Sequence, residues 1–69
     1  MVDTIYKILD ELNSYYYVYC LEKNSIERTK IHENAACIRD LVTITSKLDK
    51  LKIKFIVTEN KSIQLLEKN

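Results

Sequence analysis

Two apolar stripes at helical spacing, followed by a stretch of strict alternation, organise this chain. Val2, Ile5, Leu9, Leu12, Tyr16 and Tyr19 succeed one another at steps of three and four. That spacing lines one face of a helix and predicts α-structure from about residue 3 to residue 13. Asp3 or Thr4 is the expected cap, because either side-chain oxygen can accept from the N–H groups left open in a first turn. The stripe continues through Tyr15, Tyr16, Tyr17, Val18 and Tyr19, so one helix running on to Lys23 is the expectation. The same residues are strand-favouring types and would otherwise form a short buried strand.

Asn24 and Ser25 interrupt the pattern, with Ser25 a plausible cap for a short second helix through Ile31 and Ala35. A second stripe, Cys37, Leu41, Ile44, Leu48 and Leu51, again steps by four and three. Residues 26–51 read as one helix or as two with a break near Cys37 to Asp40, and ordinary helix lengths favour the break, with Asp40 able to cap the new start. From Lys52 the period falls to two: Ile53, Phe55 and Val57 alternate with their neighbours, as do Ile63 and Leu65. Thr58-Glu59-Asn60-Lys61 separates the two runs, and Asn60 tolerates the left-handed backbone of a tight turn. The expected fold is therefore α+β, two or three amphipathic helices followed by a C-terminal two-stranded β-hairpin.

Length changes this picture by making the core small. A chain of 69 residues is a single domain, and at this size only about 60% of the unfolded surface is buried. Additional surface supplied by a partner is the expected supplement. Glycine and proline are both absent, which removes phosphate-cradling loops, dinucleotide fingerprints and nucleophile elbows from consideration. No enzyme class competes. The longest unbroken apolar run, Tyr15 to Leu21, is seven residues, far short of the roughly 20 that span a bilayer. An intracellular, cytoplasmic protein without membrane attachment is expected, with Cys20 and Cys37 kept as thiols. The abundance of Lys, Asn, Ile and Tyr suggests an AT-rich coding sequence of the kind a phage, virus, plasmid or low-GC bacterium carries.

Net charge is only +1, but it is unevenly distributed. Lys7 and Lys23 stand against Asp3, Asp10, Glu11 and Glu22 in the first 25 residues, whereas Arg39, Lys47, Lys50, Lys52 and Lys54 outnumber Asp40 and Asp49 over residues 39–54. Helices followed by a hairpin, with the last helix and the hairpin basic, form the element order of a winged helix-turn-helix DNA-binding domain. The segment Val42 to Val57 resembles the recognition helix and first wing strand of that family, and the resemblance covers residues 28–66. It implies a small dimeric transcriptional regulator with Thr43, Ser46, Lys47 and Lys50 toward the groove of double-stranded DNA. Lys52, Lys54 and Lys61 would then meet phosphates, and Ile31 and Ala35 would face the core. Lys7 and Lys23, in the acidic third of the chain, are expected to play no part.

The other concentrated signal is aromatic. Tyr6, Tyr15, Tyr16, Tyr17 and Tyr19 fall within the first nineteen residues, and tyrosine suits both wet-edged cores and protein interfaces. Four aromatics in five positions exceed what one small core takes on a single side, so Tyr15, Tyr16, Tyr17 and Tyr19 are the candidate surface for a homodimer. The alternative function is a protein-binding module or inhibitor that uses this segment against a host protein. Base stacking is disfavoured because the surrounding residues are acidic. His32, Glu33, Cys20 and Cys37 do not have the paired short spacing of a zinc site, and Asp10 and Glu11 point about 100° apart on a helix. No catalytic residue, metal or cofactor is expected.

Overall fold

The first helix ends where an asparagine takes a left-handed backbone. In the computed structural model, which describes residues 1–13, 15–29 and 35–66, α1 spans Val2–Leu12 and buries Ile5 and Ile8. Its cap is Met1, without a side-chain hydrogen bond, rather than Asp3 or Thr4; Asp3 instead lies within the first turn, where its charge favours the positive end of the helix dipole. Asn13 adopts φ 53° and donates its N–H to the Leu9 and Asp10 carbonyls. The chain therefore turns away, and the expected continuation to Lys23 does not occur.

Strands replace it. β1, Tyr17–Cys20, pairs antiparallel with β2, Ser25–Arg28, in the register Tyr17 with Arg28 and Tyr19 with Ile26. Tyr16 and Tyr19 are three apart and so continue a helical stripe, while Tyr17 and Tyr19 are two apart and share a strand face. Burial decides for the second: Tyr17 and Tyr19 are each 5% exposed, and Val18 between them is 50% exposed. Asn24, at φ 52°, closes the hairpin loop with its N–H on the Leu21 carbonyl. Ser25 is consequently the first residue of a strand and caps no helix. Ile31 lies outside the described residues.

The second stripe forms one uninterrupted helix, α2, over Ala35–Lys50. Cys37, Ile44 and Leu48 are buried and Leu41 is partly so. Asp40 lies inside the helix and starts nothing, and Ala35 is exposed rather than facing the core. At the other end the Lys52 N–H reaches the Asp49 carbonyl and the Ile53 N–H reaches the Leu48 carbonyl. This is a Schellman closure, with buried Leu48 and Ile53 as its apolar pair. Its left-handed position is filled by Lys52, φ 60°, where glycine would normally stand.

The expected C-terminal hairpin is present as β3, Phe55–Val57, and β4, Ile63–Leu65, with Phe55 opposite Leu65. Lys61, at φ 66°, takes the left-handed turn position expected of Asn60. The Asn60 side chain instead accepts from the Thr58 hydroxyl and the Ser62 N–H. β4 also pairs with β2, Ser25 opposite Gln64 and Ile26 opposite Ile63, so both hairpins join in one four-stranded sheet of order β1-β2-β4-β3. The architecture is α+β, with two helices and a four-stranded antiparallel sheet among the described residues, rather than helices followed by a lone hairpin. β2 and β3 run the same way on either side of β4, with α2 as the crossover. Ile5, Ile8, Cys37, Ile44 and Leu48 from the helices meet Tyr17, Tyr19, Ile26, Ile63 and Leu65 from the sheet in one core. Val18 and Ile56 stand on the opposite, uncovered sheet face.

Candidate nucleic-acid interface

The C-terminal end of α2 collects lysines. Lys47 and Lys50 occupy its last turn, a placement that also complements the negative end of the helix dipole. The Schellman turn reverses the chain, so Lys52 and Lys54 follow within a few residues. Across from them, α1 contributes Lys7. An open groove of about 430 Å³ between the two helices is lined by Thr4, Lys7, Ile8, Glu11, Lys47, Lys50 and Leu51. A second depression of about 440 Å³ lies beyond the helix end, lined by Asp49, Lys52, Ile53, Lys54, Phe55 and Leu66. Five lysines and two carboxylates thus line the two depressions.

One of those carboxylates is engaged. Glu11 Oε2 lies 3.6 Å from Lys47 Nζ and ties α1 to α2; both side chains are largely solvated, so the pair contributes at most about 1 kcal/mol. Lys7 and Lys50 flank Ile8 and Leu51 in the first groove, and Lys52 and Lys54 flank Ile53, Phe55 and Leu66 in the second depression. Such a surface can take an anionic group by charge and three-point hydrogen bonding, and it offers no planar fork for reading a base edge.

The structure redistributes the expected DNA-facing residues. Lys47, Lys50, Lys52 and Lys54 do come together, and Lys7, expected to stand apart, joins them. Lys61 does not. Its carbonyl accepts the Tyr17 hydroxyl at 2.8 Å, and the same hydroxyl lies 4.0 Å from Cys37 Sγ, near the start of a helix about 24 Å long. Lys61 is therefore at the opposite end from Lys50. Thr43 is half-buried, and its hydroxyl spends its donor on the Arg39 carbonyl at 2.9 Å; Ser46 is exposed. Lys23 pairs with Glu27 at 3.5 Å, and its hairpin turn stands at the Leu66 end of the sheet, since the Asn24 carbonyl accepts the Leu65 N–H and the Lys54 carbonyl accepts the Leu66 N–H.

The tyrosine segment divides as well. Tyr17 and Tyr19 send their rings into the core, Tyr19 bonding Asn24 Oδ1 at 2.9 Å and stacking edge-on with Tyr6. Tyr15 is 69% exposed and packs edge-on against half-buried Tyr16. The Tyr17 phenol is held well above its ordinary pKa, first by burial and then by the neighbouring Cys37 thiol. Among the described strand residues the aromatic rings of Tyr17 and Tyr19 turn inward, and Val18 and Ile56 on the opposite face offer no ring on which a base could stack. Among the described residues no three His, Cys, Asp or Glu side chains cluster as metal ligands, and no helix is long and apolar enough to cross a membrane. His32 and Glu33 lie outside the described residues. Comparison with family models, curated proteins and solved structures gives no match.

Proposed function

We propose that this chain is a small DNA-binding regulator that holds the phosphate backbone of a duplex against the end of α2. The observation that supports the reading is the convergence of Lys7, Lys47, Lys50, Lys52 and Lys54 around two adjoining depressions. With Glu11 and Asp49, the residues lining the two depressions carry +3 from five cations and two anions, while the whole chain carries +1. A local field of this kind recruits polyanions even when net charge does not. Lysines contact phosphate as point charges, so they position a duplex and carry little sequence preference. Preference, where it exists, falls to Ser46 on the exposed face of α2.

Fluorescence anisotropy of a mixed-sequence duplex, titrated over a range of salt, tests this reading. Five phosphate contacts set a limiting slope of about −4.5 in log K against log salt. Lys7→Glu should reduce the slope by about one contact, although Lys7 belongs to the acidic third of the sequence. Lys61→Glu, at the far end of α2, should leave the slope unchanged. Absence of binding at low salt, or equal effects of the Lys7 and Lys61 changes, would refute the assignment.

A further inference from the structure

A different part of the molecule, independent of the DNA reading, presents a terminal strand. β1 is a terminal strand of the sheet: β2 lies on one side of it, and among the described residues no strand lies on the other. The Thr29 N–H donates to the Tyr16 carbonyl at 2.8 Å, which fixes the alternation of the ladder. Tyr16, Val18 and Cys20 direct their main-chain groups toward β2, and Tyr17 and Tyr19 direct theirs away from it. The ring of each tyrosine is anchored in the core, so these outward N–H and C=O groups are held rigidly in an extended row.

Terminal strands of native sheets are normally blunted by charged side chains, proline or a bulge, because such a row is a template for another strand. Nothing of that kind interrupts β1. Residues 15–21 include no charged residue and no proline, and the β1–β2 register runs without a bulge. Tyr15, Val18 and Leu21 are exposed along the same segment. A chain of this length also has the least core of its own to draw on.

The geometry points to a second copy of this chain as the occupant, pairing β1 antiparallel with β1 of its partner about a two-fold axis at Val18. The arrangement is self-complementary: Tyr17 meets Tyr19 of the partner subunit, and the reverse contact repeats across the axis. Each of the two residues offers one donor and one acceptor, which makes about four main-chain hydrogen bonds across the seam. Val18 meets its own equivalent at the axis on the open sheet face, Tyr15 comes opposite the partner's Leu21, and the two four-stranded sheets fuse into one. Antiparallel pairing closes after two copies, so the edge is consumed and does not propagate into a fibre.

Val18 provides the test because its side chain points away from the core. Val18→Lys sets two ammonium groups face to face across the axis, and Val18→Glu does the same with carboxylates. Sedimentation equilibrium of the full chain at micromolar concentration should give a wild-type dimer. Either variant should raise the dimer dissociation constant about tenfold or more, with circular dichroism unchanged, and mixing the two should restore dimers because unlike charges then oppose each other. Should either variant lose its fold, Val18→Cys in a Cys20→Ser background decides the matter. The paired Cα atoms at a non-hydrogen-bonded site are about 4.5 Å apart, within disulfide reach, so mild oxidation should cross-link the dimer. A monomeric wild type, including one that pairs only with a foreign strand, overturns the inference. So does a dimer that tolerates the lysine, a mixture that fails to recover, or a cysteine variant that does not cross-link.

Discussion

The two edges of the sheet are built from similar strands and guarded in opposite ways. β3 is short, and Lys52 and Lys54 precede it while Glu59 and Lys61 follow. Its exposed Ile56 and Val57 are therefore bracketed by charges that would have to be desolvated by any strand laid alongside. β1 has the same extended backbone, with Val18 as exposed as Ile56, and no charge from Tyr15 to Leu21. On the pairing proposed for β1, the absence of charge along the strand, and not apolar exposure, is what separates the two edges.

The strongest way to break the β1 side of this comparison is to remove its anchor. Tyr17→Ala should cost about 3–5 kcal/mol, comparable with the whole stability of a domain this size, about 3–10 kcal/mol. Thermal denaturation followed by circular dichroism should then lose its cooperative transition. Tyr17→Phe keeps the ring and removes only the hydroxyl that donates to Lys61, at about 1 kcal/mol. It also removes a pH dependence. Below the ordinary tyrosine value of about 10 the phenol is neutral in folded and unfolded chains alike; above it the unfolded chain ionises while the buried phenol does not. Wild-type stability should therefore fall as pH rises beyond that point. Melting temperatures of the two proteins should converge there.

On the β3 side the expected effects are smaller. Lys52→Gly should relieve a left-handed lysine and stabilise the fold by about 1 kcal/mol, measured by urea denaturation. The same change deletes one cation of the patch and should lower the salt slope of DNA binding. Ile56→Lys, the counterpart of the Val18 substitution, should shift stability by no more than about 0.5 kcal/mol and leave the sedimentation profile as it was. A change of oligomeric state on that substitution would mean that the wrong edge had been chosen.

Much of this was legible in the residues, and the failures have specific causes. The stripes of Ile5 and Leu9 and of Ile44 and Leu48 reported helices correctly, and the alternation around Phe55 and Ile63 reported the last hairpin. The first hairpin was hidden because Tyr16 and Tyr19 fit a helical period while Tyr17 and Tyr19 fit a strand period. A usable clue lay in the repeated Asn-Ser pairs at 13–14 and 24–25, since both asparagines take the left-handed backbone that ends an element. The lysines near the end of α2 are close in sequence and were found together. Lys7 was missed because only the packing of α1 on α2 brings it there, and Lys61 was included because proximity in sequence says nothing about which end of a hairpin a turn occupies.

The thiols give the molecule an internal clock. Cys37 is 1% exposed, with the Tyr17 hydroxyl against its sulfur, whereas Cys20 is half-buried in β1. An alkylating reagent can reach the first only when the helix lifts from the sheet, whereas the second shares the open Val18 side of β1 and is partly accessible from the start. Two labelling rates from one sample would thus time the opening of the core against the reactivity of a thiol that needs no such opening.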